Sequence, residues 1–224
     1  MTADAVLAAG VRPAEAPPAL TGWAGAASAI HSIRQMAMPM TLALDLAGHP
    51  TIRIDFAFHA FAWAGELAEL PADPVSVLVE TRPAIPDQPS IELPGRGLDP
   101  LLWTIGWHAF GDEPAPWLRA GDRYRLRRWP SLSEVDPTLD QVRMIAMLGN
   151  AFATADELAA AARTPPADAR RLVNAFAVLG ILRRSAGAPA LEAIAPAPEA
   201  VSAGAPDSRG TGGLLGRLRE RWGR

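Results

Sequence analysis

Residues 154–184 read TADELAAAARTPPADARRLVNAFAVLGILRR, and this stretch decides the architecture. Thr154–Ala155–Asp156–Glu157 is a capping box: the Thr hydroxyl can accept the N–H three residues on, while Glu157 reaches back to the Thr amide. It launches a short helix with Leu158, Ala161 and Ala162 on its apolar side. Pro165–Pro166 then makes a turn. A longer helix over Ala167–Leu179 follows, with Leu172, Val173, Phe176 and Leu179 at helical spacing and Gly180 as its C-cap. Upstream, Asp136–Pro137 opens a helix expected to turn Leu139, Val142, Ile145, Ala146 and Leu148 inward, and Gly149–Asn150 ends it. Downstream, Ile181–Arg184 and Leu191–Ile194 are expected to pair as two strands of a hairpin.

Three short helices, a tight turn and a hairpin, in that order, are what a winged helix requires. TADELAAAA, followed after one turn by LVNAFAVLGIL, resembles the second helix, recognition helix and first wing strand of winged-helix domains. The resemblance covers about a quarter of the chain, residues 136–195. It implies a fold more than a function, because the same scaffold serves DNA binding and protein contact. The lead-in RLRRWPSL, residues 125–132, resembles proteobacterial proteins associated with small Ras-like GTPase systems, although the chain carries no GTPase motif.

The preceding segments are of a different kind. A helix is expected over Ala24–Met38, stopped by Pro39. Met40–Leu46 and Thr51–Phe58 read as strands around a Gly48–His49–Pro50 turn. The second has Ile52, Ile54, Phe56 and Phe58 at period two. Pro74–Glu80 is a candidate third strand, and residues 82–97, with four prolines and two glycines, read as a loop. Asp99–Pro100 resembles an N-cap and first helical residue for a helix over Leu101–Phe110 that stacks Trp103 over Trp107. Arg123–Arg127 alternates again, with Arg123, Arg125 and Arg127 on one side and Tyr124 and Leu126 on the other. The fold class expected is α+β, in this order: a leader over 1–20, an α+β domain over 21–130, a winged-helix-like domain over 131–195, a linker over 196–213 and a terminal helix over 214–224.

Composition narrows the chemistry. Cysteine is absent, which excludes disulfides, thiol nucleophiles and thiolate metal sites. All 21 basic residues are Arg, a usage that matches a GC-rich bacterial genome. The apolar run near the N-terminus, Ala5–Val11, is too short and broken for a signal peptide or a membrane span, so a cytoplasmic protein is expected. The net charge of −3 conceals an asymmetry: residues 1–118 hold five Arg against 13 acids, whereas residues 119–184 hold 11 Arg against seven. The four histidines, His31, His49, His59 and His108, stand at no metal-ligand spacing, and no nucleophile elbow or phosphate loop occurs. No enzyme activity, cofactor or metal is expected.

The candidate contact residues are therefore Arg170, Arg171 and Asn174 on the third helix and Arg183 and Arg184 on the wing. Residues 167–184 can meet either a protein partner or DNA. At the C-terminus, Leu214, Leu218 and Trp222 recur every four residues among Arg217 and Arg221. That pattern is a short basic amphipathic helix suited to a partner groove or an anionic membrane surface. The preferred reading is a non-enzymatic adaptor or regulatory scaffold that contacts an unidentified protein through its winged-helix module and basic C-terminal helix. The alternative is a DNA-binding transcriptional regulator, favoured by the basic balance of residues 119–184.

Overall fold

In the computed structural model, residues 21–36 and 38–186 are described; the expected leader, linker and C-terminal helix lie outside them. Helix α1 (Gly22–Gln35) is followed by β1 (Met40–Leu46), β2 (Ile52–Asp55), β3 (Ala60–Ala62), β4 (Val77–Pro83) and β5 (Arg96–Gly97). Next come α2 (Leu98–His108), β6 (Arg123–Leu126), α3 (Leu139–Asn150), α4 (Ala155–Ala162), α5 (Pro166–Leu179) and β7 (Leu182–Ser185). The expected α+β class is what is found.

The first sheet is antiparallel, in the order β4-β1-β2-β3-β5. Met40, Leu42, Leu44 and Leu46 of β1 are buried at every second position, as the pleat requires. The apolar side chains of α1 (Trp23, Ala26, Ala27, Ile30, Ile33) join them in one core. Helix α2 contacts α1 and, more extensively, α5, whose other side meets α4. At the α2–α5 crossing a Cβ on Gly106 would sit 2.6 Å from the Ala175 Cα, so the two backbones touch where α2 has no side chain.

The run Thr51–Phe58, expected as one strand, stops at Asp55. Its buried carboxylate accepts the amides of Ala57 (3.0 Å) and Phe58 (3.4 Å), which turns the chain. The second carboxylate oxygen takes the amide and hydroxyl of Ser90, both at 2.9 Å. Local side-chain bonding here overrides the period-two pattern. Strand β4 runs to Pro83, three residues beyond the expected end, because its pairing with β1 continues through Met40↔Pro83.

Asp99 is not the N-cap of α2. The helix starts at Leu98 after Gly97, and the Asp99 side chain is drawn away from the helix amides toward Arg128, His59 and Ser131.

The two capping boxes that open α3 and α4 are Thr138/Gln141 and Thr154/Glu157; the second is the one expected, while α3 starts at Leu139 behind Thr138 and not at Asp136–Pro137. Gly180 ends α5 with φ +68° as expected. Helix α3 buries Met144, Ile145 and Leu148 but leaves Leu139 and Val142 in solvent, against expectation. Its apolar residues span more of the helix than the core can cover.

Strand β7 pairs with β6, in the register Tyr124↔Arg184 and Leu126↔Leu182. Tyr124 also bridges Ala153 on the other side of β6. The ribbon expected between Ile181–Arg184 and Leu191–Ile194 is thus formed with an upstream partner, and Leu191–Ile194 lies outside the described residues. Arg127 N–H donates to Ile181 O and so extends this pairing, while the Tyr124 N–H and C=O both bond Ala153 on the opposite side of β6.

Candidate functional site

The N-terminal turns of α5 carry Arg170, Arg171 and Asn174 on one flank, and the loop after α2 lies across them. Asn174 is 1% exposed. Its Oδ1 accepts the Ala115 amide at 2.9 Å and its Nδ2 donates to the Glu113 carbonyl at 2.8 Å. Arg171 donates to the Asp112 carboxylate at 2.7 Å, and Arg170 reaches the Asp112 carbonyl at 3.4 Å. The three residues are brought together, but around residues 112–115 of the same chain. With α2 on its other flank, α5 has eight buried residues, Ala169 and Asn174 among them.

The ribbon separates the remaining two. Arg183 stands opposite Arg125 on the solvent side of β6–β7, and both are exposed. Arg184, beside Tyr124, approaches the buried Asp122 with its Nε 3.3 Å from Oδ2. Arg123 is held by Glu157 at 3.0 Å and by the Phe152 carbonyl. The basic stripe of β6 is therefore tied to its own rear half at one end and open at the other. Leu214, Arg217, Leu218, Arg221 and Trp222 lie outside the described residues.

A cleft of about 440 Å³ opens between the C-terminal half of α1, the end of α5 and the ribbon. Arg34, Arg127 and Arg184 line it, together with His31, Trp117 and Tyr124. His31 and Trp117 stack with ring centroids 4.0 Å apart and planes 5° from parallel. Burial holds the His31 imidazole below its ordinary pKa, favouring the neutral ring. No local sequence signal marks this site, since its basic residues come from α1, from the end of β6 and from β7.

A third surface is apolar. Leu139, Val142, Ala146 and Gly149 fall within one narrow stripe of α3 by the 3.6-residue period. Trp129 lies against Gly149, where a Cβ would meet its ring at 2.9 Å. Trp129, Leu139 and Val142 are 60%, 65% and 44% exposed. The residue that begins this patch, Trp129, was legible only as the end of a strand.

His59 bonds Asp99 at 3.2 Å, and the Asp55 carboxylate holds the β2–β3 turn. Among the described residues no three His, Asp or Glu side chains converge to hold a metal ion, and no helix is long and apolar enough to cross a membrane. Comparison of the chain with protein-family models, with curated proteins and with solved structures finds no match.

Proposed function

We propose that the chain is a non-enzymatic adaptor or regulatory scaffold that docks a partner protein on the outer stripe of α3. The observation that carries this reading is the exposure of Trp129, Leu139 and Val142 on one side of a well-formed helix. Exposed apolar side chains along one helix face mark contact sites, and Trp129, at the Gly149 end of the stripe, adds an aromatic anchor. From Leu139 to Gly149 the stripe is roughly 15 Å long, which suits a partner helix laid alongside. On this reading α4, α5 and the β6–β7 ribbon form a winged-helix-like support, with the strand before the helices taking the place of a wing strand after them.

The covering of α5 favours protein contact over the DNA-regulator alternative. A reading helix must present its N-terminal side chains to base edges, whereas Arg170, Arg171 and Asn174 are engaged by residues 112–115.

The test is chemical cross-linking in native extract with the full chain and with a Trp129→Arg/Val142→Glu variant. A defined partner cross-linked by the parent protein and lost in the variant supports the reading. An unchanged set of partners overturns it. In parallel, salt-titrated anisotropy with generic duplex DNA addresses the regulator. Binding that weakens steeply with salt and is lost in Arg125→Gln/Arg183→Gln would replace the adaptor reading.

A further inference from the structure

We propose that the cleft between α1, the end of α5 and the β6–β7 ribbon is a binding site for a multiply charged oxyanion, namely a phosphate group, free or carried on a small molecule. Three arginines from distant parts of the sequence, Arg34, Arg127 and Arg184, line it, and no carboxylate does. Guanidinium forks match the oxygens of phosphate and bind them with charge-assisted hydrogen bonds. Arg127 and Arg184 belong to the basic segment 119–184, whereas Arg34 comes from the acidic front half, so it is the fold that brings the three together.

The unused hydrogen-bonding capacity points the same way. Among the described residues, buried side-chain atoms without a partner are confined to five. Three of the five, Nε and Nη2 of Arg34 and Nε1 of Trp117, belong to residues that line this cleft. All three are donors buried from solvent; of the remaining two atoms, Oδ2 of Asp122 is an acceptor 3.3 Å from the Arg184 Nε. Leaving buried donors and a part-buried cation uncompensated is costly, and each such group calls for an explanation. Burial accordingly lowers the Arg34 guanidinium from its ordinary pKa, an effect that the Asp99 carboxylate opposes and the Arg128 cation reinforces.

A purely structural role for Arg34, as a cation at the C-terminus of α5, fits less well. The guanidinium does lie against Gly180, where a Cβ would be 2.8 Å from Nη1. Yet the carbonyls of Phe176 and Ala177 are already taken by the amides of Gly180 and Ile181, and Arg34 donates to neither. Arg127 is likewise free of any acid: its backbone N–H joins β6 to Ile181, while its exposed side chain has no hydrogen-bonding partner among the described residues. Arg184 is steadied by Asp122 from the side. The volume, about 440 Å³, admits a phosphate with a small organic body, within the range usual for ligand sites.

The experiment is isothermal titration of the full chain with inorganic phosphate, pyrophosphate and glycerol phosphate, at constant ionic strength set with chloride. Saturable one-to-one binding is expected, weakened about tenfold or more in Arg127→Gln, the loss of one charge-assisted bond. Arg127→Gln carries the test because the side chain supports nothing else, whereas Arg34→Gln risks the packing against Gly180. Arg53→Gln, an arginine on the first sheet away from the cleft, should leave binding unchanged. Tighter binding of glycerol phosphate than of inorganic phosphate would assign the site to a carried phosphate, and the reverse order to the free anion. Absence of saturable binding, or equal binding by the parent protein and Arg127→Gln, would overturn the proposal.

Discussion

Asp99 on the first turn of α2 and Arg128 beyond β6 form a two-pronged pair, with Nη1 to Oδ2 at 2.5 Å and Nη2 to Oδ1 at 2.7 Å. The same carboxylate also takes the Ser131 amide at 2.9 Å and the His59 ring at 3.2 Å. One buried side chain therefore ties the β2–β3 turn, α2 and the lead-in to α3. The two partners differ in access to water: the Asp99 side chain is 4% exposed and that of Arg128 43%. Removing the arginine strands a buried charge, while removing the acid frees a guanidinium that can rehydrate. Arg128→Ala is expected to lower stability by about 3 kcal/mol and Asp99→Ala by about 1–2 kcal/mol. Urea denaturation of both variants checks the order, and a larger loss for Asp99→Ala would contradict it.

The pH dependence follows from the same site. Burial alone would raise the Asp99 carboxyl, but the hydrogen bonds from Arg128, His59 and Ser131 outweigh it and hold the group well below the usual carboxylate range. A depressed folded-state pKa means that the unfolded chain takes up the proton first. The stabilisation is thus fully present above about pH 5 and is lost as the pH falls toward about 2. Asp99→Asn should be less stable than the parent at neutral pH, and the gap should narrow through that acid window. A gap independent of pH between those limits would show that the carboxylate charge is not what stabilises the site.

Local signals in this chain were legible and long-range ones were not. The Thr154/Glu157 box, the Gly180 cap and the strand Met40–Leu46 depend on neighbours within a few residues, and each stands where its residues place it. Asp99–Pro100 carries an equally good cap signal, yet Arg128, 29 residues on, competes successfully for the carboxylate. The apolar pattern of α3 shows how much of the helix can be buried, not which part, so it points Leu139 and Val142 inward although both are exposed. Asn174 has the local signature of a polar residue on a reading face, because nothing local reveals that Glu113 and Ala115 cover it. For the cleft, the basic residues were visible singly, but their convergence depends on packing α1 against the end of α5.

Gly106 supplies a test of the α2–α5 crossing. In an isolated helix, replacing Gly by Ala stabilises by up to about 1 kcal/mol. Here the added methyl would meet the Ala175 backbone, which cannot move aside like a flexible side chain. Gly106→Ala is therefore expected to destabilise by about 1–3 kcal/mol despite the better helix propensity. Thermal unfolding of the variant decides the sign, and a higher melting temperature would mean that the helices separate easily.

Asn174 can be separated from a nucleic-acid role by its effect on stability. Asn174→Leu removes both bonds to the covering loop and leaves the buried Ala115 amide without its partner. A loss of about 2 kcal/mol is expected. Asn174→Asp keeps the acceptor but sets a buried carboxylate oxygen against the Glu113 carbonyl, so it should cost at least as much as the leucine variant. Chemical denaturation gives the ranking, and parent-like stability in Asn174→Leu would place the side chain at the surface after all.

The outer stripe of α3 requires the opposite result. Val142 and Leu139 are exposed, so Val142→Glu or Leu139→Glu removes little buried area and should change stability by no more than about 0.5 kcal/mol. Trp129 differs, because its ring rests on Gly149. Trp129→Ala is expected to uncover part of α3 and cost about 1 kcal/mol, through lost apolar contact with the helix. If the patch is a docking surface, Val142→Glu abolishes partner capture with the melting curve unchanged, a combination that a surface without a partner cannot produce. Capture retained in Val142→Glu and lost only in Trp129→Ala would instead trace the effect to a disturbed helix, and the site of contact would have to be sought elsewhere on the chain.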